Sequence, residues 1–542
     1  MKQRILLGGL LLSLCLLVSC AAQTAVQEPV TLRVLTEKST SDGMNYQAEE
    51  IAKQFMETHD GVTVQLEFLP IEKEERTLFL YQMRSEIMAG GGPDVYLLPS
   101  GDSLFLDYST PALFTSGLTK TLTVEPLFPD VRLAMINGIF QDINTYYTND
   151  SSLQKQALNH AVMEAGVLDG QRYVLPLRYN LPVLMQSSDD TRVDVTEQTS
   201  ILDLAELAVS TGDTALALVL EMPDDFSCFP ALLDHRRGAV LVSQSDLSRY
   251  LTLYQQICAL RTEQYHVLET QIYDRIYGSS QTINKPSLDE WLRTELRGPL
   301  SFQCDASSFS AFYFYWKTQG FPIYIGDIGC ALHNAAIDHF LGQASDLQPL
   351  CAEGGTVAAE VTYFGAVGAS CDTPALAYEF LREFLTEEAQ WDGLRPRTDY
   401  SQINDTFRSP PQLQRRGLIE NSWPVRFIGA VPNLWETLQL QIYSGYPYIG
   451  YGIDSFNTIY DRDVTLQRAQ RFLLNITLTD EDLPVLFSPI DEVRFPVTLP
   501  EDESMAWALA QLNEEDGTPT DVDIDALAEQ LHQNLWWHLA EG

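Results

Sequence analysis

Residues 62–98 read VTVQLEFLPIEKEERTLFLYQMRSEIMAGGGPDVYLL. Val62, Val64, Leu66 and Phe68 alternate with Thr63, Gln65 and Glu67, the period of a strand with one buried face. Residues 75–89 then read as a helix, which Gly90-Gly91-Gly92-Pro93 closes. PDVYLL at 93–98 is apolar enough for a strand covered on both faces. Upstream, 30–37 (VTLRVLTE) reads as a first strand, and 38–43 (KSTSDG) as the loop at its carboxyl end. Ala48, Ile51, Ala52, Phe55 and Met56 follow with the spacing of one helical stripe, and Gly61 stops that helix. Strand, helix, strand, helix, strand implies a parallel sheet with right-handed crossovers. Ligands of such sheets sit outside the carboxyl ends of the strands. The loops 38–43 and 99–103 (PSGDS) therefore lie on the predicted functional edge.

Three further stretches extend this reading. DGQRYVLPL at 169–177 leads into apolar LPVLM. In VTYFGAVGASCDTPALAYEFLREFLTEEAQ, residues 361–390, Leu376, Ala377, Phe380, Leu381, Phe384 and Leu385 form one apolar helical face. Asp372 or Thr373 is its N-cap, and Pro374 takes the first helical position. Residues 522–540 place Ile524, Leu527, Ala528, Leu531 and Leu535 on one face of a terminal helix.

In this order the chain resembles the extracellular solute-binding proteins of family 1, the type that includes maltose-binding protein. The first-lobe pattern ends on Gly-Gly-Pro-Asp-Val, and Gly170-Gln171-Arg172-Tyr173-Val174-Leu175-Pro176 matches the family's Gly-x-x-Tyr-x-Leu-Pro at the first crossing between lobes. Residues 361–390 match its return strand, small-residue turn and Ala/Phe/Leu-rich helix. The resemblance implies an α/β fold of two hinge-linked lobes (the type II periplasmic-binding-protein arrangement), each a mainly parallel sheet flanked by helices. It assigns 30–178 to lobe 1, 179–362 to lobe 2, 363–420 to a return into lobe 1, and 421–542 to lobe 2 with the C-terminal helices.

The N-terminus, MKQRILLGGLLLSLCLLVSC, has Lys2 and Arg4 before an apolar run from Ile5 to Val18. That run falls short of the ~20 residues that span a bilayer comfortably and ends in Ser19-Cys20, so it reads as a secretion signal. Its ending resembles the bacterial lipobox, which implies a lipid on Cys20 and an extracytoplasmic protein anchored to the cell membrane. Residues 21–29 read as a short tether. The net charge of −40 excludes an electrostatic partnership with nucleic acid, which needs clustered Lys and Arg. Beyond Cys15 and Cys20, Cys228, Cys258, Cys304, Cys330, Cys351 and Cys371 are compatible with disulfides or with buried thiols, and sequence does not choose.

Proteins of the resembled family hold sugars by aromatic stacking and by hydrogen bonds from side chains at the cleft rim. The candidates here are Ser41, Asp42, Ser100 and Asp102 in loops at strand ends, Arg178, Tyr179 and Asn180 at the first crossing, and Tyr363 at the second. Trp435, in VPNLWETLQ, occupies a place like that of a cleft aromatic of the family. Ser and Asp also serve turns and caps by local hydrogen bonding alone, and hinge aromatics often only pack. The standard zinc-protease, serine-hydrolase and P-loop signatures are absent. Asp521-Val522-Asp523-Ile524-Asp525 begins like a calcium loop, but Ala526 and His532 stand where Gly and a bidentate Glu are needed. No catalytic residue, cofactor or metal is expected. The expected partners are a small solute, a sugar or oligosaccharide, and the permease subunits of an ABC transporter. Two alternatives are a surface glycan hydrolase, whose paired carboxylates would be assembled only in space, and a sensor module that presents its ligand to a membrane receptor.

Overall fold

A computed structural model describes residues 29–37, 44–105, 121–187, 193–277, 323–328, 345–386 and 490–541, apart from a few positions within the third, fourth and last of these stretches. The first five elements come in the expected order: β1 (Val30–Glu37), α1 (Met44–Thr58), β2 (Val62–Leu69), α2 (Lys73–Met88) and β3 (Val95–Pro99). β1 lies between β2 and β3, parallel to both, with Val30 opposite Val62 and Val34 opposite Val95. Both of its faces are covered. Leu32 and Val34 enter a core with Ile51 and Phe55 of α1, and Leu35 enters another with Leu80 and Met83 of α2. The glycine run after α2 acts as a stop: Gly90 takes φ +82°, and the amides of Gly90 and Gly91 donate back to Ile87 and Glu86. α2 begins two residues before the predicted start, with Glu74 and Glu75 in its first turn, where the helix dipole favours acid.

The chain continues through α3 (Val131–Ile136), β4 (Val174–Ser187), α4 (Ile201–Thr211), the short strands β5 (Leu233–Asp234) and β6 (Ala239–Val240), and α5 (Gln244–Tyr277). Then come β7 (Ile323–Ile328), β8 (Ser345–Pro349), β9 (Ala358–Val367), α6 (Pro374–Arg382), β10 (Glu492–Arg494), α7 (Met505–Leu512) and α8 (Ile524–Glu541). Among the described residues the main sheet has eight strands in the order β2-β1-β3-β9-β4-β7, with β8 also paired to β4 and β10 to β9, and β9 is antiparallel to both β3 and β4. α6 buries the predicted face: Ala377, Phe380 and Leu381, with Phe384 and Leu385 just beyond it, join the core under β1 and β3. Thr373 is its N-cap, and Pro374 opens the helix.

β4 changes partners along its length. Its first half pairs with β9 as far as Asn180 opposite Glu360, and from Leu181 onward it pairs antiparallel with β7 and β8. The Asp169-Gly170 step that opens the predicted hinge is a tight hairpin turn with φ 54° and 78°, and β4 changes partners about ten residues later. β10 runs parallel to Ala358–Glu360 of β9, and Phe495 just after it packs into the core of the first sheet. In the other part of the chain α4, α7 and α8 pack on α5, with Leu247, Tyr250, Leu251, Leu531 and Leu535 buried. α4 carries a full capping box between Ser200 and Asp203 and ends on Gly212 at φ 65°.

Cys228, Cys258, Cys351 and Cys371 are free and buried, and burial pushes the Cys371 thiol up to about 11. Cys304 and Cys330 lie outside the described residues. Among the described residues, no helix is long and apolar enough to cross a membrane.

Gly368, just past β9, donates its amide to the Asp94 carbonyl at 2.9 Å, and a Cβ there would stand 2.2 Å from the Pro93 carbonyl oxygen. The obstruction is backbone, which cannot swing away as a side chain would. Gly368→Ala is expected to cost about 1–3 kcal/mol or more of stability, read from the urea unfolding midpoint.

Candidate functional site at the strand crossing

The carboxyl end of β3 meets the middle of β9 and of β4 on one line. Pro99 and Arg178 both lie opposite Tyr363, Val361 lies opposite Tyr179, and the Ser100 amide donates to the Thr362 carbonyl at 3.0 Å. Ser100, Arg178, Tyr179, Asn180 and Tyr363, distant in sequence, are thus neighbours across three strands. The register of β9 slips between Val361 and Phe364, directly opposite Arg178. Such irregularities re-aim side chains at the rim of a sheet.

The candidates differ in what they present. Ser100 is buried, and its Oγ has no hydrogen-bond partner among the described residues; Asp102 is half-buried, its carbonyl accepting from the Val124 amide at 2.7 Å. Arg178 is half-buried. Tyr179 is fully buried, and Tyr363 is 2% exposed inside the core beneath α1 and α6, so packing accounts for the Tyr363 ring and it is not displayed to solvent. Cys20, Ser41, Asp42 and Trp435 lie outside the described residues.

Other groups on this edge escape a reading by sequence pattern. Thr36, at the end of β1, is fully buried with an Oγ1 that has no hydrogen-bond partner among the described residues. Beside it Glu37 makes a two-pronged pair with Arg76, at 2.7 and 2.9 Å, and Arg76 also donates to the carbonyls of Glu125 and Pro70. Burial pushes the Glu37 carboxyl up, against the pull of the Arg76 guanidinium. The pair ties the end of β1 to α2 and to the 125–130 segment. Its members stand 39 residues apart, so no local pattern reveals it.

A second wall comes from residues 223–229. Arg494 Nε donates to Glu360 at 3.0 Å, and the same guanidinium donates to the carbonyls of Ser227 and Phe229, tying this segment to the crossing strand β9. Asp224 is exposed on one side yet crowded by protein on the other. Burial first, and then the like charges of Asp225 and Asp102, push its carboxyl up to about 6. Asp102 follows β3 and Asp224 follows α4, so acids from two parts of the chain act on one another here.

Among the described residues, no group of three His, Cys, Asp or Glu side chains could hold a metal ion. A cavity of about 620 Å³ lined by Val30, His59, Asp60, Tyr146 and Pro374 lies at the opposite, amino-terminal edge of the sheet, where β1 and α6 begin. It shares no residue with the crossing.

No family model matches the chain, and no curated protein matches it. Among solved structures it is similar to an extracellular solute-binding protein of family 1 from Alicyclobacillus acidocaldarius, at 12% identity and a TM-score of 0.42, covering 95% of this chain and 99% of that one. It is also similar to the sugar-binding protein MalE from Xanthomonas citri, at 11% identity and a TM-score of 0.38, over 82% of this chain and 99% of that one. A third is the mannotriose-bound CpMnBP1, at 14% identity and a TM-score of 0.37, over 82% and 100%. These neighbours are solute-binding proteins of the family 1 and maltose-binding type.

A carboxyl raised by folding favours the folded state at low pH and loses that contribution as it ionises. Asp224 should therefore titrate near 6 by carboxyl-detected NMR, and its contribution to stability should fall as pH rises from about 4 to about 6. Asp102→Asn should lower that midpoint; an unchanged titration would place the two carboxylates out of range of each other.

Proposed function

We propose that the chain is a lipid-anchored extracytoplasmic solute-binding protein that captures a small carbohydrate between two lobes and delivers it to an ABC transporter. The supporting observation is that β4 and β9 run on side by side past the end of β3, beyond which β4 pairs with β7 and β8 and β9 pairs with β10. Two adjacent crossing strands make a hinge that bends about one axis, with a binding crevice beside it. On this reading lobe 1 holds β1 to β3 and α6, and lobe 2 begins where β4 takes β7 and β8 as partners. The contacts on this reading are Ser100, Asp102 and Arg178, together with Ser41, Asp42 and Trp435, which lie outside the described residues. Buried hydroxyls without a partner among the described residues, such as those of Thr36 and Ser100, suit a ligand rich in hydroxyl groups.

Closure would be a population shift, since contacts made from both walls exist only in the closed state. The protein then acts by binding and release and needs no catalytic group. The lipid on Cys20 would keep it beside the permease subunits that accept the solute.

The test is a thermal-shift screen of the purified protein against mono- and oligosaccharides, with amino acids and peptides as controls. A sugar at 100 times its Kd should add about 2.7 kcal/mol of stability, and Arg178→Ala should reduce that gain while the unliganded melting point holds. A folded protein that no sugar shifts would defeat the carbohydrate reading.

A further inference from the structure

The β5–β6 hairpin reaches from the helical part of the chain to the first sheet. Asp234 Oδ1 accepts from the amides of Arg236 and Arg237 at 3.1 Å each, and Gly238 turns the chain at φ 61°, which sets His235 and Arg236 at the tip. His235 Nε2 stands 2.9 Å from Asp130 Oδ2, the two side chains 6% and 3% exposed. Arg236 pairs with Asp169 in the turn before β4, and both of these side chains are exposed. From α8, His538 Nε2 approaches the same Asp130 oxygen at 3.8 Å.

Asp130 belongs to the other side of the contact. Its Oδ1 caps α3 by accepting from the Leu133 amide at 2.9 Å, and Val131, Ala134 and Met135 pack in the core against Tyr96 and Leu98 of β3. Its Oδ2 faces both imidazoles without an aligned hydrogen bond to either, so charge and packing hold the contact. Burial alone would raise this carboxyl; His235 and then His538 outweigh it and hold the group well below the usual carboxylate range. The exposed Arg236–Asp169 pair adds little by comparison, because solvent screens it.

We propose that the hairpin is a strap limiting how far the two lobes swing apart, with Asp130 between His235 and His538 as its catch. The proposal rests on the two-lobe reading above, which allots Asp130 and Asp169 to one lobe and His235, Arg236 and His538 to the other. A hinge made of crossing strands leaves the far side of a lobe free to move; a buried contact at a separate place fixes the angle. Removing one member of a buried charged contact strands the other, so the catch is worth far more than the exposed pair.

Asp130→Asn separates cap from catch, for it keeps the oxygen that caps α3 and removes the charge that faces the imidazoles. The full chain without solute is compared with Asp130→Asn, His235→Gln and, as a control, Arg236→Gln. Folding is checked by circular dichroism, residues 233–240 by hydrogen exchange, and overall size by small-angle scattering. Both catch variants should exchange at 233–240 about tenfold faster or more and show a larger radius of gyration, while Arg236→Gln changes exchange less than about threefold. Unchanged exchange and radius in the folded catch variants would overturn the strap. Should neither variant fold, His538→Gln decides by the same criteria. A sugar screen on the same proteins separates the two readings: loosening in a chain that no sugar shifts keeps the strap and sinks the carbohydrate reading, and sugar binding without loosening sinks the strap alone.

Discussion

The backbone pairing of β9 between β3 and β4 is the constraint on which the rest depends. β1, β2 and β3 form a local unit that the chain builds within its first hundred residues, and their contacts are close in sequence. β9 enters that sheet from more than 250 residues further on and reverses the strand direction. Its hydrogen bonds to β3 on one side and β4 on the other join the early sheet to everything that follows. Gly365 and Gly368 mark how tight the fit is: a Cβ on Gly365 would meet Leu381 at 2.6 Å, and one on Gly368 would meet the backbone at Pro93. The space beside β9 is filled by a helix on one face and by chain on its edge, so its position is fixed from both directions.

Because β9 lies antiparallel between its neighbours, its amino-terminal half stands beside the carboxyl end of β3. The residues that meet there, Ser100 after β3, Arg178 to Asn180 of β4 and Glu360 to Tyr363 of β9, come together with no local sequence relation. The polar groups on this edge follow the same geometry. A strand that ends inside the protein leaves side chains where water is scarce. Glu37 answers that with the Arg76 fork, whereas the hydroxyls of Thr36 and Ser100 have no hydrogen-bond partner among the described residues. The first arrangement stiffens the end of β1; the second leaves hydrogen-bonding capacity at the crossing.

Much of the first sheet was legible in the sequence because its signals are local. Alternation in 62–68, the stripe from Ala48 to Met56 and the glycine run at 90–92 each act over a few residues, and each found its element. The α6 face was legible for the same reason. The crossing was only half legible: the turn at Asp169-Gly170 has a strong local signature, but the point where β4 changes partners is set by which strands lie beside it, and those come from 323–367. Tyr363 shows the limit of reading side chains from position. Strand alternation around it sends its ring into the core with Val95 and Leu97, and a local bulge shifts the register without bringing that ring to the surface. Asp224 and Arg494 had no signal at all, since one gains its meaning from Asp102 and the other from two carbonyls and a carboxylate on distant segments.

Asp224 and the Asp130 contact set opposing tendencies in one molecule. Around Asp224, carboxylates from two parts of the chain act on one another, so drawing these segments together brings like charges closer in a protein already carrying a net charge of −40. At Asp130 an acid meets two imidazoles, so that part of the interface is held by attraction. A hinge loaded in this way is repelled at the crevice and held at the strap. Under the solute-binding reading, that balance is what allows a small molecule to decide the outcome. A ligand shifts two conformations only by the difference in its affinity for them, and a few kcal/mol suffices when the two states begin close in energy. Hydroxyl groups placed beside Ser100 and between the carboxylates of Asp102 and Asp224 would supply that difference, by engaging a Ser100 hydroxyl that has no partner among the described residues and by separating two like charges.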